Sequence, residues 1–222
     1  MNLIKYSTIA LVLVFLNSCA ISIPVNKNFY SNDKKLGIIV HIEDIALTQM
    51  GSRGLLDLAL TPGNRFKEPL DSIAPNFDFR EKVKSEMNSI MNRRGKKFEF
   101  LPDDINIKTL YQFEAPKKSK LKYSKLDYRP LKEQYDVDEI LIMHVKYGLA
   151  VGYYGMIETG KDGFAVIDAE IINLENNALL GRERFESFGK MKGNWKKDNY
   201  SNLINAIHTA MNISVTMIKS RI

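Results

Sequence analysis

The chain has 222 residues, 45% of them hydrophobic and 26% charged, with a formal net charge of +6. That balance excludes an intrinsically disordered chain and gives enough length for one well-packed domain or, at most, two small ones. A single cysteine, Cys19, excludes an intrachain disulfide, so the fold must rest on its core.

The N-terminus comes first. Met1–Lys5 is a short start with one positive charge and no acid, and Ile9–Leu16 is a continuous apolar run. The run is too short to cross a bilayer core, which takes about 20 residues, and has the form of a secretory signal. It ends in Leu16-Asn17-Ser18-Cys19, which resembles the bacterial lipobox. The resemblance implies a lipoprotein signal peptide over 1–18 and a diacylglyceryl group on the Cys19 thiol. It also implies a membrane as partner, held through N-terminal acyl chains, with a polar tether over 19–35. Ala20 follows the cysteine, and by analogy with enteric sorting this implies the outer membrane, with the domain facing the periplasm. An exported chain of this kind is not expected to meet nucleic acid.

Leu36–Ile42 (LGIIVHI) is short, apolar and β-branched, and reads as a buried strand. Residues 48–77, rich in glycine and proline, read as an irregular insertion with one short helix or hairpin around Leu55–Leu60. Asp78 with Glu81 fits a capping box, and Phe79, Val83, Met87, Ile90 and Met91 form an apolar stripe at helical spacing. Gly95 closes that helix. Phe98–Leu101 is a strand stopped by Pro102, residues 102–130 form a second irregular insertion, and Pro130 opens a short helix through Tyr135. Glu139–Tyr147 is the strongest strand. Gly163–Leu174 and Ala178–Phe188 pair as a hairpin across Glu175–Asn177. Ser201 can cap a last helix that buries Leu203, Ile204, Ile207, Met211, Val215 and Ile218. The expected fold is α/β (α+β), a single domain over 36–222. It has a mixed β-sheet of about five strands with two main helices packed on it.

The lipobox, the first strand, the segment YDVDEILIMHV, the hairpin DAEIINLENNALLGRERF and the amphipathic C-terminal helix together resemble the small α/β domain of bacterial envelope lipoproteins. Members include the curli-secretion lipoprotein, the penicillin-binding-protein activator lipoproteins and the N-terminal domain of the Tol–Pal β-propeller protein. The resemblance implies a non-enzymatic assembly, scaffolding or partner-binding protein that binds an envelope protein or self-associates. A secretion-channel subunit is the alternative, with Tyr147–Val166 as a membrane hairpin. Glu158, Lys161 and Asp162 near its turn argue against that.

Chemistry is mostly excluded. Gly155–Lys161 imitates a phosphate-binding loop, but Asp162 stands where a serine or threonine is needed, and Gly160–Gly163 reads as a tight turn. His41, His144 and His208 fall one per element and leave no metal set, although His41 and His144 lie on strands expected to be neighbours. Gly51–Gly54 lacks the glycine of a nucleophile elbow. The carboxylates Asp103 and Asp104, and Asp136, Asp138 and Glu139, sit at element ends. They are the only basis for an envelope hydrolase, the third reading. No catalytic residue, metal or cofactor is assigned. Two surfaces are candidates for contact. Lys117, Lys118, Lys120, Lys122, Lys125 and Arg129 form a basic stretch suited to an anionic surface. Gly148, Gly152, Tyr153, Tyr154 and Gly155 form a strand with small residues on one face, open to close approach by a partner.

Overall fold

The run Glu139–Val145 (EILIMHV) carries apolar residues on both faces, as a strand buried on both sides requires. In a computed structural model, which describes residues 22–52, 65–155 and 157–222, this run opens the central strand of one mixed sheet. In chain order the elements are β1 (Leu36–Ile42), β2 (Ala46–Ser52), α1 (Lys67–Ile73), α2 (Phe79–Arg94), β3 (Phe98–Phe100), α3 (Pro130–Tyr135), β4 (Glu139–Tyr154), β5 (Ile157–Asn173), β6 (Leu179–Lys190) and α4 (Lys197–Arg221). The strands line up as β3-β1-β4-β5-β6, and β2 lies along the second half of β4. β1 and β2 run parallel to β4, whereas β4, β5 and β6 form an antiparallel meander.

One face of the sheet is covered by helices. Leu141, Met143, Val145, Leu149 and Val151 of β4 share a buried cluster with Val83, Met87, Ile90 and Met91 of α2 and with Leu203, Ile207, Met211 and Ile218 of α4. The approach of α4 is close: a Cβ on Gly189 would stand 1.9 Å from the Ala206 carbonyl oxygen, so the side chain must be absent there. On the other face, among the described residues, Leu101, Ile107, Tyr128 and Leu131 pack on Ile39, Ile140, Ile142 and Ile172 at one end, and a smaller cluster of Ala150, Phe164 and Val166 with Ala46 and Met50 is buried further along. Asn177, fully buried in the β5–β6 turn, holds this cover in place. Its side chain accepts from the Tyr128 amide at 3.0 Å and donates to the Leu126 carbonyl at 2.9 Å.

The fold class is as the sequence implies, with six strands rather than about five. The additional strand, β2, falls across the start of the expected 48–77 insertion, which also contains α1; Leu55–Leu60 lies outside the described residues. β2 has no β-branched run, and its pairing with β4 creates it. The turn expected at Gly160–Gly163 is instead inside β5, with Gly152 opposite Gly160, and the chain reverses between Tyr154 and Ile157. Asp78 does precede α2 but forms no side-chain cap. Asp198, Asn199 and Tyr200 have positive φ of 51°, 52° and 64°, so the unbroken part of α4 begins at Ser201. Signal residues 1–18 and Cys19 lie outside the described residues.

The segment expected as a tether is, from Ser22 onward, part of the fold. Ile23 pairs antiparallel with Arg182 of β6, and the Asn26 amide donates to the Leu180 carbonyl at 2.9 Å. Phe29 is 1% exposed. Next to it, Lys96 Nζ lies 2.8 Å from Glu139 Oε2, with side chains 0% and 1% exposed, and 4.6 Å from the Phe29 ring centroid. The Asn32 side chain donates to the second Glu139 oxygen at 3.0 Å. Breaking a buried pair from one side strands a charge and costs about 3–5 kcal/mol, whereas replacing both partners by apolar groups is often near neutral. Urea unfolding is therefore expected to show a loss of that order for Lys96→Met and a clearly smaller loss for Lys96→Met with Glu139→Leu. Near-parental stability of the single variant would contradict the role given to the pair.

Candidate functional site

Period-two alternation places every second residue of β4, β5 and β6 on the face of the sheet opposite α2 and α4. Register then aligns polar residues across it. His41 of β1 lies opposite His144, His144 opposite Asp168, and Asp168 opposite Arg184. In the next row Glu170 lies opposite Arg182. Arg184 Nη1 donates to both Asp168 oxygens, at 3.0 and 3.1 Å, and its Nε to Glu186 at 3.2 Å. Arg182 binds Glu170 at 2.7 Å, and Ser124 from the covering loop donates to the other Glu170 oxygen at 2.9 Å.

These rows form the floor of a cleft of about 660 Å³, whose rim includes Ser22, Lys125, Leu126 and Arg221. Ser22 donates to Glu183 at 2.8 Å, and Arg221 lies 3.4 Å from that carboxylate. Each acid of the cleft thus faces an arginine. Cross-strand pairs of this kind stabilise the sheet by tenths of a kcal/mol and leave a polar, charge-balanced surface. Burial, and then the Glu170 charge, push the Tyr128 hydroxyl well above the ordinary tyrosine range, so it stays protonated.

The carboxylates considered for acid–base work are dispersed. Asp103 pairs with Arg80 and Lys84 at 3.0 and 2.9 Å, Asp138 accepts the Lys35 amide, and Glu139 is held by Lys96. Asp136 ends α3 with a left-handed φ of 51°. His208 sits among the rings of Phe77 and Phe79, whereas His41 and His144 are in edge contact with centroids 5.6 Å apart, the neighbours that strand order implied. Among the described residues no group of three or more His, Cys, Asp and Glu is placed to hold a metal.

The strand expected as an interface is largely internal. A Cβ on Gly148, where φ is +149°, would meet the Ala46 carbonyl oxygen at 1.9 Å, so the body that approaches this glycine is β2 of the same chain. Tyr153 is 7% exposed within the core, and a Cβ on Gly152 would meet Thr159 Oγ1 at 2.6 Å. Gly155 makes the turn with φ +59°, and Tyr154 alone of the five offers a large exposed side chain, at 77%. Of the basic stretch, Lys117, Lys118, Lys120, Lys122 and Lys125 are exposed and form no ion pair among the described residues. Arg129 instead pairs with Asp127 at 2.7 Å. The paired rows across the sheet are not visible in the sequence, because they exist only once strand register is set.

No family model and no curated protein sequence matches the chain. Solved structures do resemble it at low similarity. They include a hypothetical protein, CT253, from Chlamydia trachomatis (10% identity, 86% of this chain and 98% of that one, TM-score 0.36). A PelC dodecamer from Paraburkholderia phytofirmans matches at 10% identity over 90% of this chain and 93% of its own, with TM-score 0.34. Lipoprotein GNA1162 from Neisseria meningitidis matches at 10% identity over 84% and 99%, with TM-score 0.34. Likeness at this level transfers neither a site nor an activity.

The histidines give a pH dependence. Burial, then the adjacent His41, lowers the His144 pKa below the ordinary 6.5, with Glu170, Glu43 and Asp168 acting in the opposite direction. Burial, then Lys82, lowers His208. Below about pH 6.5 the unfolded chain thus binds protons that the folded chain resists, so stability present above that pH is lost as pH falls. The melting temperature is expected to be level from about pH 8 to 7 and to fall between about 6.5 and 5, before most carboxylates titrate. His144→Gln with His208→Gln should flatten this fall. An unchanged slope in the double variant would contradict the assignment.

Proposed function

We propose that this chain is a lipid-anchored bacterial envelope protein that acts without catalysis, as an assembly or partner-binding component. The observation that carries the reading is the position of Cys19. It ends the lipobox-like sequence three residues before Ser22, where the chain is already bonded to β6. Acyl chains on Cys19 would therefore hold a folded domain directly at a bilayer, each buried methylene adding about 0.8 kcal/mol. The described residues supply no other anchor of helical type, since no helix among them is long and apolar enough to cross a membrane. The non-catalytic part is supported by the dispersed carboxylates and by the balanced pairing in the cleft. Ala20 favours the outer membrane, with the domain in the periplasm.

The secretion-channel reading has less support. Leu149, Val151 and Tyr153 of the would-be membrane hairpin are packed in the domain's own core, which leaves that face unavailable to lipid.

Fractionation of cells expressing the parent and Cys19→Ala tests the anchor. The parent is expected in the membrane pellet after a high-salt wash, and the variant in the soluble fraction with an unchanged melting temperature. Retention of the variant in the washed pellet would overturn the reading.

A further inference from the structure

We infer that the edge formed by residues 22–26 and the loop 111–127 is the surface this domain turns toward the anionic headgroups of its own membrane. The inference rests on the acylation of Cys19 proposed above and adds to it an orientation and a lipid-contact loop.

Three independent observations converge on this edge. The first is covalent reach. Two residues, Ala20 and Ile21, lie between Cys19 and Ser22, so three residue steps limit their separation to about 10 Å even at full extension. Ser22 is hydrogen-bonded to Glu183, and Ile23 is paired with Arg182, so a bilayer that holds Cys19 must lie close to the start of β6.

The second is the position of the basic loop. The Leu179 amide donates to the Lys122 carbonyl at 2.9 Å, Tyr123 pairs with Ala178, and the Ser124 amide donates to Asn177. The loop is thus fixed to the chain about four residues before the point where Ile23 is fixed, roughly 13 Å along a strand. Ser22 and Lys125 line the same cleft. Nothing in the sequence places residues 22 and 125 together.

The third is the composition of the exposed surface. Lys117, Lys118, Lys120 and Lys122 are exposed and form no ion pair among the described residues, as is true of Lys192 and Lys196, whereas Lys35, Lys67 and Lys190 have carboxylate partners; only in this loop do four such lysines fall within six residues. Leu121, 56% exposed, stands among these cations, and Tyr111, 86% exposed, lies at the base of the loop. Tyr111 belongs to the same loop, since its carbonyl accepts the Asp127 amide and Gln112 pairs with Leu126. Lysines around an exposed leucine, with an exposed tyrosine on the same loop, suit the headgroup region, where the charges meet lipid phosphate and the apolar groups enter the interface. The loop is held back to the sheet through buried Asn177, so its cations are presented by a fixed support.

The opposite end of the sheet would point away. The β4–β5 turn, with exposed Tyr154 and Ile157, lies 13 residues along β5 from Glu170, about 40 Å. Screening shortens charge effects to about 8 Å at physiological ionic strength, so only the near edge can feel the surface charge.

Lipidated protein carrying either Ser119→Cys or Tyr154→Cys, labelled with a fluorophore at the new thiol, tests the orientation. Mass spectrometry of the purified protein first establishes whether Cys19 carries its diacylglyceryl group, a result that bears on the anchor alone. The acylated proteins are then placed on vesicles containing phosphatidylglycerol and a headgroup nitroxide quencher. Quenching is expected to be several-fold stronger at position 119 than at 154, and to drop when Lys117, Lys118, Lys120 and Lys122 are replaced by Gln. In the unlipidated domain the same four substitutions should lower affinity for these vesicles by about a thousandfold at low salt, since each of the four lysines contributes about 1 kcal/mol and about 1.4 kcal/mol is tenfold. Equal quenching at both positions, or stronger quenching at 154, on protein shown to be acylated would overturn the orientation while leaving the anchor intact. Weak quenching at 119 with the lysines crosslinking instead to an acidic protein would overturn the lipid contact.

Discussion

The buried pair of Lys96 and Glu139 is the interaction on which the rest depends. Glu139 is the first residue of the central strand, and Lys96 follows the helix that covers it. An ion pair so enclosed needs its remaining hydrogen-bonding capacity filled. Asn32 supplies a donor, and the Phe29 ring supplies a face to the ammonium. Both residues come from the N-terminal segment. The charge of the central strand thus demands that residues 29–32 be in place, and a chain end that would otherwise be a leash becomes part of the core.

That constraint sets the relation of the domain to the proposed anchor at Cys19. With Phe29 and Asn32 fixed, residues 23–26 run along the outer edge of β6, and Ser22 ends at the rim of the cleft. The covering loop reaches the same edge for a separate reason: Asn177 in the β5–β6 turn binds its backbone. Two segments distant in sequence meet because both attach to the first residues of β6. The sheet divides accordingly. One face is closed by α2 and α4, and the other is closed near this edge by the loop, carries the matched charges in rows beside it, and turns apolar again at Ala150, Phe164 and Val166.

Much of this architecture is legible in the sequence where one element can bury its own pattern. The stripe Phe79, Val83, Met87, Ile90 and Met91 defines α2 completely, and Gly95 ends it with a left-handed φ of 70°. EILIMHV needs no context to read as a central strand. β2 is illegible because residues such as Gln49 and Gly51 have no strand preference of their own and become a strand only against β4. The small residues of Tyr147–Gly155 were readable as a place of close approach, yet the sequence alone does not say that the approaching chain is its own Ala46. Polarity in residues 22–35 reads as a tether, since a single buried Phe29 and one asparagine carry too little pattern to reveal docking. Of the candidate site, the basic residues are visible as a run, but their nearness to residues 22–26 depends wholly on tertiary pairing.

The central claim is that the chain is rigidly docked from Ser22 onward, and native-state hydrogen exchange measures this most directly. The Ile23 amide donates to the Arg182 carbonyl at 2.8 Å and the Asn26 amide to Leu180 at 2.9 Å. Both amides are expected to exchange far more slowly than in an unstructured peptide, and to lose that protection together in Lys96→Met, which removes the lock on residues 29–32. Exchange of both at the unstructured rate in the parent would mean that the segment from Ser22 is a free leash, and the proposed orientation at a membrane would fall with it.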